Sequence, residues 1–134
     1  MIYLCTNTDE LRSVLSKQCF HDGEICNFNY NMKDNSLELD VSNSYLGKAV
    51  HLNAYNVVSL LTTGFNPWQV GSNNQISSVS VESPDTLLEM LLKIQPYSCE
   101  IISKRKSQLL LISFQFLSGN ELYVLCEKLC VNEI

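Results

Sequence analysis

The chain is poor in residues that break regular structure. It has 5 Gly, 3 Pro and 1 Trp among 134 residues. So little Gly and Pro excludes a collagen-like or Pro/Gly low-complexity chain. Charge is sparse as well. Charged residues make up 17% against 46% hydrophobic, which is not the composition of a disordered chain. The charge leans acidic, with 9 Lys and Arg against 14 Asp and Glu, a net of −5. A general nucleic-acid binder needs a basic face to displace counterions from phosphate, so that class is set aside. Long apolar runs are missing too. The strongest, Leu109-Leu110-Leu111-Ile112, is far short of the about 20 residues needed to cross a bilayer. Residues 1–7 lack the basic and apolar regions of a secretory signal. The expectation is a soluble, cytoplasmic protein without membrane contact. A length of 134 residues suits one domain, 1–134, able to bury about two-thirds of its unfolded surface.

Chemical signatures are scarce in the same way. There is no GxGxxG or GxxxxGK[ST] phosphate loop, and no HExxH or GxSxG motif. The six cysteines, Cys5, Cys19, Cys26, Cys99, Cys126 and Cys130, contain no CxxC pair. With no export signal, they read as reduced thiols packed like small apolar residues. No cofactor is expected.

What is present is mostly strand periodicity. Asn7 followed by Glu10 reads as an N-cap with its capping-box partner, and Leu11, Val14 and Leu15 continue a helix over about 8–18. From Ile25 to Met32 the period becomes two, with Cys26, Phe28, Tyr30 and Met32 on one face. Lys33-Asp34-Asn35 is a turn, after which Leu37, Leu39 and Val41 alternate with Glu38, Asp40 and Ser42. A third strand carries Val50, Leu52 and Ala54, and 56–61 is ambiguous between strand and helical turn. Residues 62–74, with Phe65 and Trp68, read as a long surface excursion. Residues 75–82 alternate weakly. Ser83-Pro84-Asp85 opens a helix with a Leu stripe that Pro96 ends. Tyr97 to Ser103 reads as a strand leading into a basic β-turn, Lys104-Arg105-Lys106. Two further strands flank Ser118-Gly119-Asn120. The last of them, about 121–132, is apolar on both faces and so central or covered on both sides. The fold class is α+β: a mainly antiparallel sheet of about seven strands in hairpins, with an N-terminal helix and one helix near 84–95.

Two groups of residues could act. Glu38 and Asp40, with Glu24 nearby, offer acidic groups to a basic partner, and Phe65 and Trp68 offer aromatic anchors. Cys19, His21, Asp22 and Cys26 form the densest polar cluster. It could hold a metal, or supply a thiolate with His21 as base and Asp22 or Asp40 as its orienter. An extended chain would, however, send Cys19 and His21 to one side and Asp22 and Cys26 to the other.

His21-Asp22-Gly23-Glu24-Ile25, followed by Tyr30 and Leu37-Glu38-Leu39, resembles the opening of certain small uncharacterised bacterial proteins. The segment from Phe116 to Val124, with a strand ending near Val131, is similar to their last hairpin. Some of them are classed as immunity proteins of polymorphic toxin systems. The resemblance implies a small binding protein without enzymatic activity, whose partner is another protein. The competing readings are a metal-binding or Cys/His-dependent enzyme built on 19–26, and a structural subunit or homodimer paired through an edge strand.

Overall fold

The computed structural model describes residues 1–17, 20–63, 75–92 and 96–134, with the side chains of 96–98 left aside. Among these residues the fold is α+β, with seven strands in one antiparallel sheet and three short helices. The elements are β1 (Ile2–Tyr3), α1 (Thr8–Leu15), β2 (Glu24–Asn31), β3 (Ser36–Asn43), β4 (Lys48–Thr63), β5 (Ile76–Glu82), α2 (Pro84–Leu91), α3 (Pro96–Arg105), β6 (Leu110–Phe116) and β7 (Glu121–Glu133). The strand order is β2-β3-β4-β7-β6-β5, and β1 pairs with β7 beyond the end of β6. No described helix is long and apolar enough to cross a membrane.

The first hairpin forms where the sequence predicts it. Leu37, Leu39 and Val41 are buried, and Asn35 takes the positive φ of 51° in the turn. The next turn is held by Asn43, itself buried, whose Oδ1 accepts from the N–H groups of Tyr45 and Leu46 at 3.1 and 3.2 Å. The sheet curls until its end strands meet at one corner. There Ile76 N–H donates to Gly23 O at 2.7 Å and Asp22 N–H donates to Ile76 O at 2.9 Å. Inside the curl, Leu39, Leu52, Ile112, Phe114 and Val124 pack with Leu11, Leu15 and Phe20 from the α1 segment. On the outer side, α2 and α3 place Leu87, Leu91, Cys99 and Ile102 over Leu111, Tyr123 and Leu125.

Several expectations need correction. Asn7 stands at the N-cap of α1 as expected, but its side chain does not cap the helix. Its Oδ1 turns back to accept from Leu4 N–H at 3.3 Å, closing a 3₁₀ turn over Cys5–Asn7. In β2 a bulge between Ile25 and Asn27 shifts the parity, so Ile25, Phe28 and Tyr30 belong to the core side. Cys26 is thereby exposed, and Met32, just past the strand, is 80% exposed. Residues 56–61 are strand: β4 runs on through a step at Asn56, whose φ is 52°, and a register shift before Ser59. On β7 the faces exchange near Glu127, so Leu129 and Val131 join the inner side with Val124 and Cys126.

The largest departure is at 97–103, which is helix rather than strand. Cys99 and Ile102 are buried one turn apart while Ile101 is 57% exposed, a helical period. Pro96 starts this helix instead of ending the previous one, as proline's fixed φ allows at a first helical position. Lys104 and Arg105 then lie in its last turn, at the negative end of the helix dipole, and Lys106 opens a 3₁₀ turn. Arg105 pairs with Glu127 of β7, and Lys106 lies 3.2 Å from Asp85. The seventh strand is therefore β1, not 97–103. The helix after Ser83 is placed as expected, with Ser83 Oγ accepting from Asp85 N–H at 3.3 Å.

Phe114 lies at the centre of the inner core and is 1% exposed. Phe114→Ala should cost about 3–5 kcal/mol in urea unfolding with an unchanged m-value, while Met32→Ala should stay within about 0.5 kcal/mol of the parent.

Candidate functional site

Alternation along β3 sends Leu37, Leu39 and Val41 inward and Glu38, Asp40 and Ser42 outward. Strand register then builds rows of polar side chains across the outer face. One row is Asn27, Asp40, His51 and Asn132; the next is Asn29, Glu38, Asn53 and Cys130. Glu24, paired with Ser42, continues the acidic column by one step. The described helices pack elsewhere, α1 on the inner core and α2 with α3 on the outer face of β6, neighbouring β7 and the second half of β4 at Val58 and Leu61. The Arg105–Glu127 pair, with Asn56 Nδ2 donating to Glu127 Oε2 at 2.9 Å, joins α3 to the sheet beside the uncovered half.

Asp40 is the most engaged group on this face. Its Oδ1 lies 2.5 Å from His51 Nδ1, its Oδ2 accepts from Asn27 Nδ2 at 3.1 Å, and its backbone carbonyl accepts from the Cys26 thiol at 3.4 Å. A carboxylate against Nδ1 sets the imidazole's orientation and leaves Nε2 as its other polar atom. Cys26, though exposed at the surface, has its pKa raised, first by partial desolvation against the sheet and then by the Asp40 charge. A thiol whose anion is disfavoured is a weaker nucleophile, and the Cys26 thiol donates to the Asp40 carbonyl. Glu38 differs from Asp40 in that no side chain among the described residues pairs with its carboxylate. Across from it, Asn53 donates Nδ2 to Tyr55 Oη at 3.1 Å, while its buried Oδ1 meets no donor.

The 19–26 cluster is distributed rather than assembled. His21 Nδ1 lies 2.8 Å from Ser77 O, and Nε2 lies 3.5 Å from Asp22. Asp22 has a φ of 63° and bonds β5 through its N–H. Both residues fasten the corner where β2 meets β5, and both line a shallow cleft with Asn43, Tyr45 and Leu46. Cys26 instead bonds to β3. Cys19, Phe65 and Trp68 lie outside the described residues. Among those residues no group of three His, Cys, Asp or Glu is arranged to hold a metal. Sequence reasoning missed the Asp40–His51 pair. The signal was there: counting back from the turn at 44–47 sets Asp40 opposite His51.

The buried thiol of Cys126 is pushed up to about 12 from 9.0 by burial, and Tyr123 rises through burial and the Glu121 carboxylate. The folded protein thus keeps protons that the unfolded chain releases above about pH 9. Stability is full below that pH and falls as pH rises toward about 12. Urea midpoints should be lower at about pH 10 than at about pH 8, with a smaller drop in Cys126→Ala. Equal midpoints at the two pH values would contradict this.

Comparison with protein-family models gives no match, and comparison with curated proteins gives none. A crystal structure of an uncharacterized protein from Neisseria gonorrhoeae is similar, with a TM-score of 0.53 and 11% identity, over 86% of this chain and 94% of that one. At that identity the likeness bears on the fold alone.

Proposed function

We propose that this chain is a non-enzymatic binding domain whose partner is a basic protein, docked on the outer face of β2, β3 and the first half of β4, which no described helix covers. One observation carries the reading. On the same side of the sheet, one half is sealed by α2 and α3, and the other presents Glu24, Asp40 and Glu38 with no described helix over them. Flanking polar side chains keep this face hydrated when free, and the acidic column favours a cationic surface by charge complementarity. Neutralisation of a basic toxin in the bacterial cytoplasm, the role implied by the resemblance noted above, is the specific form of this reading. The raised thiol of Cys26 weighs against an enzyme on the same residues.

Retention of a partner from source-cell lysate on immobilised protein tests the idea. A basic protein should be held at low salt and released as ionic strength rises. A Glu24→Lys, Glu38→Lys double variant with an unchanged circular dichroism spectrum should not hold it. Equal retention by the parent and the double variant would sink the proposal.

A further inference from the structure

At one end of the curl the inner side of the sheet is not sealed. A partly enclosed cleft of about 130 Å³ opens there, between the turn that follows α1 and the ends of β1, β4 and β7. Its walls are Val14, Phe20, Val50 and Val131, and the exposed side chains of Lys17 and Glu133 stand at its rim. Lys17 N–H donates to Val14 O at 3.3 Å and Phe20 N–H donates to Lys17 O at 3.2 Å, so one wound turn presents all three. Glu133 is the register partner of Val50 and follows Val131 by two residues on β7, which puts these three on one side of the sheet.

Two features point to a ligand. Lys17 and Glu133 carry opposite charges on one rim, yet among the described residues neither pairs with the other or with any third group. Tyr3 also lines the cleft and is only 4% exposed. Its Oη has no hydrogen-bond partner among the described residues, although the oxygen is not sealed from solvent. A largely buried hydroxyl without a partner is a cost that a bound polar group removes.

We infer that this cleft binds a free aliphatic amino acid with a branched side chain the size of that of leucine or valine. The site is on the inner side of the sheet, separate from the outer face proposed for docking. An apolar cavity of about 150 Å³ admits benzene, so the space here takes an isobutyl group and excludes an indole. Lys17 offers its ammonium to the ligand's carboxylate, and Glu133 offers its carboxylate to the ligand's ammonium. Tyr3 Oη adds a hydroxyl donor for the carboxylate. A plain aliphatic carboxylate gains Lys17 but is repelled by Glu133, and a plain amine meets the reverse, so only the zwitterion satisfies both ends of the rim.

Titration of the full chain with L-leucine, isocaproate and isopentylamine, followed by methyl NMR, tests the assignment. L-Leucine should shift the methyls of Val14, Val50 and Val131, and should bind about tenfold more tightly than either analogue, of which one lacks the amine and the other the carboxylate. Lys17→Gln should weaken leucine and isocaproate, whereas Glu133→Gln should weaken leucine and isopentylamine. Val50→Phe, with a circular dichroism spectrum like the parent's, should fill the cleft and abolish binding. Unshifted methyls at about 10 mM leucine would overturn the site, as would equal affinity for the three compounds or undiminished binding by Val50→Phe.

Discussion

Between Leu122 and Cys126, strand β7 is buried on both sides: Leu122, Val124 and Cys126 face the inner core, and Tyr123 and Leu125 lie under α2 and α3. A strand of that kind cannot lie at a sheet edge or face water, because either would expose apolar surface worth about 25 cal/mol per Å². It must have a neighbour on each side and a layer above and below. β4 and β6 supply the neighbours, the curl of the sheet with α1 supplies one layer, and α2 with α3 supplies the other. The two helices sit between β5 and β6 in the chain and return it to the sheet for antiparallel pairing.

The same strand explains where the covering stops. Near Glu127 the faces of β7 exchange, and the outward residues become Lys128, Cys130 and Asn132. Those positions do not require a helix over them. Arg105, in the last turn of α3, pairs with Glu127 there, and the helical layer ends. Beyond it the outer face continues across β4, β3 and β2 as rows of Asn, Asp, Glu, His and Tyr. The part of this face that no described helix covers follows the side-chain pattern of the sheet: outward positions on β2, β3 and β4 up to Tyr55 are mostly polar, whereas Val58 and Leu61 further along β4 pack with α2 and α3.

Much of this was readable from local signals. The turn residues Lys33-Asp34-Asn35 and the alternation of Leu37, Leu39 and Val41 were enough for the first hairpin. Ser83 and Pro84 were enough for the start of α2, and the two-sided apolar pattern was enough to make β7 central. The failures share a cause. A β-bulge at Cys26 and a step at Asn56 add residues that change parity, and neither carries a strong composition signal. Residues 97–103 mix β-branched and polar side chains, and only burial against α2 and the sheet chooses helix. Of the candidate site, the outward placement of Glu38 and Asp40 was legible. Their difference was not, because it depends on cross-strand neighbours: His51 and Asn27 occupy Asp40, and Asn53 faces Glu38 with an unpaired oxygen.

The central claim is that function resides on the open half of the outer face, not on the helices that seal the other half. Amide hydrogen exchange of this protein, free and bound to the basic partner retained at low salt, measures it directly. The account predicts added protection confined to β2, β3 and the first half of β4, with α2 and α3 unchanged. Protection concentrated on 84–105, with β2 to β4 unaffected, would contradict it.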